Sequence, residues 1–251
     1  MLNIVVPMAG LGSRFAKAGY RLPKPLIPVH DVPMIKVVID NLTPEQPHRF
    51  VFICQREHVA AYGLPEQLAA WAPGSRLVEI DGLTEGAACT VLAAESQIDA
   101  DAPLMIANSD QFVNSGVDDY LAVLDREAAD GLIMTMWADD PKWSYAELSN
   151  GTVRRVVEKE VVSNVATVGI YNFRRGGEFI EGAKRMIARD ERVNGEFYVA
   201  PVYNEMIRDG GRVVTHDIGA IGTGMHGLGT PADLDLFLAD PRSREWVRAQ
   251  K

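Results

Sequence analysis

The chain has 251 residues, 47% of them hydrophobic and 24% charged, which excludes a disordered chain and supplies a core for one large α/β domain or two small ones. Its 34 Asp and Glu outnumber 25 Lys and Arg for a formal net charge of −9, and that balance excludes a general nucleic-acid binder. The first 30 residues run the other way, with Arg14, Lys17, Arg21 and Lys24 and no acid, so a basic pocket near the start suits a small anionic ligand better than a polymer.

Along the chain, Leu2–Pro7 is a β-branched run ending at glycines, which reads as a buried strand feeding a loop. Met34–Leu42 has helical spacing and 49–54 is the next strand. Residues 59–71 are helical, with Gly63 and Pro65 as breakers and Pro73-Gly74 as the stop. Arg76–Ile80 is a third strand, 86–95 a tightly packed helix, and 103–107 a strand ending in Asn108-Ser109-Asp110. Val117, Tyr120, Leu121, Leu124 and Ala128 recur at helical spacing before the strand Gly131–Trp137. Beyond Tyr145 the texture changes. Short strands at 145–148, 153–158 and Val165–Phe173 come without helices between them, around an Asn150-Gly151 turn. Helices at 178–189 and 199–208, a strand at 212–217, and helices at 231–238 and 242–249 complete the chain.

This alternation predicts the α/β class, with a mostly parallel sheet covered on both faces. Ligands of such sheets bind beyond the strand carboxyl ends, which singles out the loops after Val6, Ile80 and Ala107. Residues 1–251 read as one domain of two halves, about 1–140 and about 141–251, the second closing the pocket. Cys54 and Cys89 lack a CxxC spacing and read as buried, reduced thiols. Residues 1–7 lack the charge and length of a signal peptide, and no apolar run nears the ~20 residues that span a bilayer. A cytoplasmic protein with no membrane partner is the expectation.

Two segments carry chemistry. Ala9-Gly10-Leu11-Gly12-Ser13-Arg14 follows the first strand directly, and glycines there let backbone N–H groups approach phosphates. A Rossmann GxGxxG fails because Phe15 stands at its third glycine, and a Walker A loop lacks its Gly-Lys-Ser/Thr. Then comes Pro23-Lys24-Pro25-Leu26. Proline fixes its own φ and biases the preceding residue towards extended backbone, so Lys24 is a charge on a stiff, extended mount.

With Pro28-Val29 and Pro33-Met34-Ile35, these segments resemble the N-terminal signature of the sugar-nucleotide pyrophosphorylases. That nucleotidyltransferase family joins an NTP to a phosphorylated small molecule, usually a sugar 1-phosphate, and has relatives acting on phosphocholine or phosphoglutamine. The resemblance implies a Rossmann-like three-layer α/β fold with a mixed, mostly parallel central sheet. It implies a nucleotide held against Met8, Ala9, Gly10, Leu11, Gly12 and Ser13, with Arg14 on the leaving pyrophosphate and Lys24 on the reacting phosphates. Thr84-Glu85-Gly86-Ala87-Ala88 resembles the loop that holds the base, which assigns Thr84, Glu85, Gly86 and Ala87 to the nucleotide. Asn108-Ser109-Asp110 resembles the acidic metal motif, with Ser109 on the nucleotide side and Asp110 binding Mg²⁺.

On the acceptor side, the resemblance implies Glu158 and Lys159 from Val157-Glu158-Lys159, and Gly169 and Tyr171 from Val168-Gly169-Ile170-Tyr171. It also implies Glu196 and Tyr198 from Asn194-Gly195-Glu196-Phe197-Tyr198, and Gly229-Thr230-Pro231 resembles a late family motif. One departure stands out. The family often places a second metal-binding Asp two residues before that Gly-Thr, where this chain has Gly227. Either Asp217 or His226 replaces it, or one carboxylate plus phosphates hold the metal, and an unusual phosphorylated acceptor becomes more plausible. The five histidines otherwise show no metal-ligand spacing, and Trp137, Trp143, Tyr145 and Tyr171 stand as core or pocket aromatics.

The chemistry needs no general base. A phosphate monoester, with a second pKa near ~6, is already a nucleophilic dianion at neutral pH. Such transfers are catalysed by positioning and electrostatics, with Lys, Arg and Mg²⁺ as agents. A metal-dependent nucleotide-sugar glycosyltransferase of related fold is the competing enzyme. Its usual Asp-x-Asp is absent, since Asp110-Gln111-Phe112 stands here. A non-catalytic nucleotide sensor would be expected to lose Lys24 or Asp110, and both are present. The partners expected are an NTP and a phosphorylated acceptor. The 84–88 loop leans towards capsule-associated members, some of them cytidylyltransferases, and family members commonly form dimers or tetramers.

Overall fold

The computed structural model describes residues 1–249. Strand β1 (Leu2–Pro7) is buried on both faces, which only a central strand covered by helices can satisfy. A glycine loop, the short helix α1 (Ser13–Lys17) and a ribbon of β2 (Pro28–Val29) and β3 (Val32–Pro33) lead into α2 (Met34–Leu42). β4 (His48–Gln55) lies parallel to β1, and α3 (Arg56–Tyr62) and α4 (Leu64–Trp71), divided at Gly63, carry the chain to β5 (Arg76–Ile80). Helix α5 (Ala87–Leu92) crosses back to β6 (Leu104–Ala107), parallel to β1 on its other side. Next come β7 (Gln111–Val113), α6 (Val117–Arg126) and β8 (Gly131–Trp137), then the hairpin of β9 (Ser144–Ser149) and β10 (Thr152–Glu158), then β11 (Val165–Phe173). The chain ends with α7 (Gly176–Ala188), α8 (Tyr203–Arg208), β12 (Val213–Ala220), β13 (Met225–Gly227), α9 (Pro231–Ala239) and α10 (Ser243–Ala249).

The nine-stranded sheet has the order β10-β9-β11-β6-β1-β4-β5, with β8 also on β11 and β12 outside β8. β11 runs antiparallel to β6, β8 and β9, and β10 runs antiparallel to β9. Because β12 is parallel to β8, only β11 and β10 oppose the direction of β1. The sheet is therefore mixed and mostly parallel, as the sequence implied.

Side chains alternate across the strands and build two apolar layers. Leu2, Ile4 and Val6 share one layer with Ile35, Val38 and Ile39 of α2 and Tyr120 and Val123 of α6. Val5 shares the other with Ala88 and Val91 of α5 and Phe179 and Ala183 of α7. A third, smaller cluster joins Phe15, Ile27 and Val29 of the N-terminal segment to Phe112, Leu234 and Phe237. Full burial of such a side chain is worth about 2 kcal/mol. This cluster, more than polar links such as His30 Nε2 to Ser243 Oγ at 2.6 Å, seats the C-terminal helices over the first thirty residues. Among the described residues no helix is long and apolar enough to cross a membrane.

Leu2–Pro7, Met34–Leu42, Arg76–Ile80, Gly131–Trp137 and Val165–Phe173 have the bounds read from the sequence. Residues 199–208 are not one helix but a 3-10 turn, Ala200–Val202, followed by α8; Pro201 sits in that first turn. The ribbon β7–β13 escaped the sequence reading because three residues are too few to show a period.

Candidate functional site

The carboxyl ends of β1, β4, β5 and β6 open on one edge of the sheet, where the loops 8–13, 81–86 and 108–110 meet. Gln55, buried at the end of β4, ties two of them together. Its Nε2 donates to Ala9 O at 2.7 Å and to Gly82 O at 2.8 Å. Met8, Ala9 and Ser109 are buried beneath the mouth, whereas Gly10, Leu11, Ser13 and Arg14 are exposed on it. A side chain at Gly12 would meet Lys24 Cβ at 3.2 Å, so the glycine loop packs directly on Lys24.

Lys24 is not extended, as its flanking prolines implied. Pro23 is the extended residue, at φ −60° and ψ 146°, and Lys24 opens a 3-10 turn, Lys24–Leu26, closed by Leu26 N donating to Pro23 O. The stiff mount is therefore a turn, and it aims the ammonium across the mouth. Lys24 Nζ donates to Asp110 Oδ2 at 2.8 Å, and the two side chains are 19% and 25% exposed. Asp110 is seated by Leu228 N, which donates to its backbone carbonyl at 2.8 Å, and a Cβ at Gly229 would fall 2.6 Å from Oδ2. The late Gly-Thr segment thus packs on the carboxylate. Arg14, Lys17 and Arg21 are exposed and make no ion pair among the described residues, which leaves them free for an anion.

The Glu85–Ala87 stretch is zipped to the segment carrying Glu196 and Tyr198. Phe197 N donates to Glu85 O at 2.8 Å and Ala88 N to Phe197 O at 3.0 Å. Arg192 reinforces the seam, donating to Glu85 Oε2 at 3.2 Å with its guanidinium 4.2 Å from the Phe197 ring centre. Thr84 Oγ1 donates to Gly86 O at 2.9 Å.

Beside this seam lies a cavity of about 310 Å³ lined by Asn108, Trp143, Glu158, Lys159, Tyr171 and Tyr198, among others. Glu158 is 8% exposed and accepts a hydrogen bond from Ser144 Oγ. Burial pushes its carboxyl above the ordinary range, against the Ser144 bond and the charge of Lys159. Lys159 Nζ donates to Tyr198 Oη at 2.6 Å, a bond that raises the ammonium, and stands 4.7 Å from the ring centre. Lys159 also takes a left-handed φ of 57°, a conformation that a side chain adopts at a cost of about 1 kcal/mol and that concentrates at working sites. Burial raises the Tyr198 hydroxyl, with Lys159 opposing and the exposed Glu196 adding to it. Tyr171 is buried against Thr167 Oγ1 at 3.0 Å, and burial raises it too. Ala87 lines this same cavity, which brings one residue inferred for the nucleotide beside Glu158, Lys159, Gly169, Tyr171 and Tyr198 inferred for the acceptor.

Neither residue considered for Gly227's missing carboxylate reaches Asp110. His226 is 6% exposed, with its ring among Phe112, Phe237 and Trp246, and burial lowers its pKa. Asp217 lies on the outer strand β12 and accepts from Gly219 N at 3.1 Å. The nearest atoms to a Cβ at Gly227 belong to Asp233, at 3.4 Å, and that carboxylate is engaged by Thr230 Oγ1 at 2.6 Å. Among the described residues no three His, Cys, Asp or Glu converge to hold a metal. Asp110 alone suits Mg²⁺, which is commonly held by one or two carboxylates plus substrate phosphates. Both cysteines are free; Cys54 is buried, as read from the sequence, and Cys89 only half-buried, and burial pushes Cys54 up to about 12 and raises Cys89.

A larger cavity, about 680 Å³, opens at the opposite end of the sheet around Asp101, Asp130, Glu178 and Asp209. Its arginines are already paired, Arg175 with Glu178 at 3.3 Å and Arg185 with Asp209 at 2.7 Å, and no candidate residue faces it. Three residues at the site went unselected by the sequence reading. Asn108 lay inside a quoted motif as a polar residue at a strand's carboxyl end, a signal that was present. Lys142, which lines the cavity from a loop, and Gln55 had none.

The family model described as Nucleotidyl transferase matches residues 4–198. The chain resembles the nucleoside-diphosphate-sugar pyrophosphorylase from Vibrio cholerae RC9, with 25% identity and a TM-score of 0.79 over 98% of this chain and 99% of that one. The inositol-1-phosphate CTP transferase from T. maritima aligns at 14% identity and a TM-score of 0.72, covering 99% of this chain and 96% of that one. A UDP-glucose pyrophosphorylase complexed with UDP-glucose aligns at 14% identity and a TM-score of 0.72, covering 99% and 98%. The last two share the fold alone. A search of curated proteins found no match.

Proposed function

The chain belongs to the nucleotidyl transferase family, and from that premise we propose that it transfers the nucleoside monophosphate of an NTP to a phosphorylated small molecule, releasing pyrophosphate. It is a nucleotidyltransferase of the sugar-phosphate pyrophosphorylase type. The observation that carries the finer reading is the Lys24–Asp110 pair at 2.8 Å, a cation and a carboxylate beside the glycine loop.

In this reading a phosphate oxygen of the acceptor attacks the α-phosphorus of the NTP, one P–O bond forms, and the bond to the pyrophosphate oxygen breaks. Lys24 holds the reacting phosphates, already aimed before substrate arrives. Arg14, unpaired at the mouth, takes the leaving pyrophosphate. Asp110 would hold Mg²⁺, which supplies neutralising charge to the phosphates when bound. Glu158, Lys159, Tyr171, Glu196 and Tyr198 orient the acceptor. The resemblance of the 84–88 loop to capsule-associated members supports CTP as the first nucleotide to test and cytoplasmic synthesis of a cell-surface polysaccharide precursor as the setting.

The test is a matrix of the four NTPs against hexose 1-phosphates, inositol 1-phosphate, phosphocholine and phosphorylated amino acids, scored by pyrophosphate release with Mg²⁺. One pairing is expected to dominate, and Lys24→Ala to lower its turnover by about 100-fold or more with the fold intact. Near-normal release from that variant would remove Lys24 from the chemistry.

A further inference from the structure

Strand β4 ends between two loops that diverge. Its ladder with β1 runs from Leu2 opposite His48 to Pro7 opposite Ile53, and Met8 N adds a last backbone bond to Ile53 O at 2.9 Å. On the other side its ladder with β5 stops at Gln55 opposite Ile80. Beyond these points β1 turns into the glycine loop, and β5 turns at Gly82, which holds φ +72°. Neighbours that part in this way leave carbonyls without the donors that a longer ladder would supply.

One side chain stands in for the ladder on both sides. Ala9 follows Pro7 by two residues, as Gln55 follows Ile53, so a longer β1 would set Ala9 opposite Gln55. The tie is made instead by Gln55 Nε2, which donates to Ala9 O at 2.7 Å and to Gly82 O at 2.8 Å. Gln55 is buried, and both hydrogens of its amide are spent on the two loops. Arg56, the next residue, grips the same turn from outside, with Nε donating to Asp81 Oδ1 at 2.9 Å, but that pair is exposed and contributes little. Among the described residues no hydrogen bond joins residues 8–13 to 81–86 directly. The spacing of the two loops is therefore set by a single NH₂ group.

That spacing has a use. In the nucleotidyltransferase reading above, the glycine loop meets the phosphates of the NTP and residues 84–87 meet its base. The gap between the loops is then the span at which both ends of one nucleotide are met at once. A ligand that bridges two loops gains when they are held at a fixed separation beforehand, because ordering them on binding costs affinity. A ligand that touches the glycine loop alone gains nothing from the tie.

Resting on that reading, we propose that Gln55 is a positioning residue for the NTP, acting through the backbone of Ala9 and Gly82 to fix the base loop against the phosphate loop. Its contribution falls on the nucleotide, and neither the acceptor nor an inorganic polyphosphate shares it.

The experiment compares the wild type with Gln55→Met, which keeps the side chain's length without a donor, and with Gln55→Glu, which keeps its shape and turns carboxylate oxygens on the two carbonyls. The nucleotide is whichever of ATP, CTP, GTP and UTP the wild type uses. Three constants are measured: the NTP KM, the acceptor KM, and the inhibition constant of inorganic tripolyphosphate competing with that NTP. Gln55→Met is expected to raise the NTP KM about tenfold, with the other two constants within about twofold. Gln55→Glu should raise the NTP KM at least as much, and it serves alone if the methionine variant does not fold. An unchanged NTP KM, or a rise matched by either of the other two constants, marks a tie that merely supports the fold and overturns this inference alone. So does a wild type that tripolyphosphate does not inhibit, since the glycine loop would then not hold phosphates without the base. A wild type that releases pyrophosphate from no pair of NTP and acceptor overturns the nucleotidyltransferase reading and this inference with it.

Discussion

Glu158, proposed to orient the acceptor, is a buried carboxyl that works against the fold. Its carboxyl is 8% exposed and burial raises its pKa, so the folded protein holds the proton more tightly than the unfolded chain. The sign follows: the group stabilises the fold below the ordinary carboxylate range, and that stability is lost as pH rises through the raised value. At pH 7 the charged form is a net penalty. Glu158→Gln keeps the shape and an acceptor for Ser144 Oγ while removing the charge. It is therefore expected to have a higher urea midpoint than the wild type at pH 7, a gap that closes as pH falls towards 4.5, and a raised acceptor KM. Paired urea titrations at the two pH values decide it, and a variant no more stable at pH 7 would contradict the burial argument.

Between elements, the Glu85–Ala88 strap on Phe197 is a joint between two segments far apart in the chain. Gly86 holds φ 128° and ψ 174°, a region that essentially only glycine occupies, and a Cβ there would sit 2.4 Å from Phe197 O and 2.6 Å from Phe197 N. Both obstacles are backbone atoms, so neither moves aside cheaply. Gly86→Ala is expected to cost about 2–3 kcal/mol through overpacking and strain, which for a chain of this size lowers Tm by roughly 4–12 °C. Under the proposed reading the strap joins the nucleotide side to the acceptor side, so NTP and acceptor KM should rise together. A thermal melt with the two KM values checks this, and a variant melting with the wild type would show that the seam tolerates a methyl. The strap also marks a limit of sequence reading. Gly86 was visible as a loop glycine, but the close approach that demands it comes from a segment more than a hundred residues away. Long apolar runs such as Leu2–Pro7 and Val165–Phe173 were legible because burial on both faces leaves a periodic or continuous signature. The Lys24 turn was half legible: the prolines announced stiffness, and the hydrogen bond from Leu26 to Pro23 decided its shape. Trp143, one of the aromatics offered from the sequence as core or pocket, lines the cavity, whereas Lys142 reaches it from the same loop with no local pattern to foretell it.

Over the whole molecule, outer elements meet at three seams, and each contains a histidine. His30 Nε2 meets Ser243 Oγ at 2.6 Å between the N-terminal ribbon and α10. The His216 ring lies 5.7 Å from Tyr120, between β12 and α6, and His226 sits among Phe112, Phe237 and Trp246 beneath the C-terminal helices. Burial lowers all three, with Arg244 adding at His30, Arg126 at His216 and Arg242 at His226, while Asp240 opposes at His226. A histidine lowered in the fold binds fewer protons there than in the unfolded chain, so stability rises with pH across its window and is lost as pH falls from 6.5. Glu158 slopes the other way, but it is one group against three. The urea midpoint is therefore expected to fall between pH 7 and pH 5.5, with the C-terminal helices loosening early because two of the three seams hold them. His226→Phe tests the cause. Its Nε2 has no partner, so the ring should be replaceable at little cost at pH 7, and the variant should lose less stability on acidification than the wild type. A urea midpoint that stays flat in the wild type, or falls equally in both proteins, would mean that the seams are not where acid enters the fold.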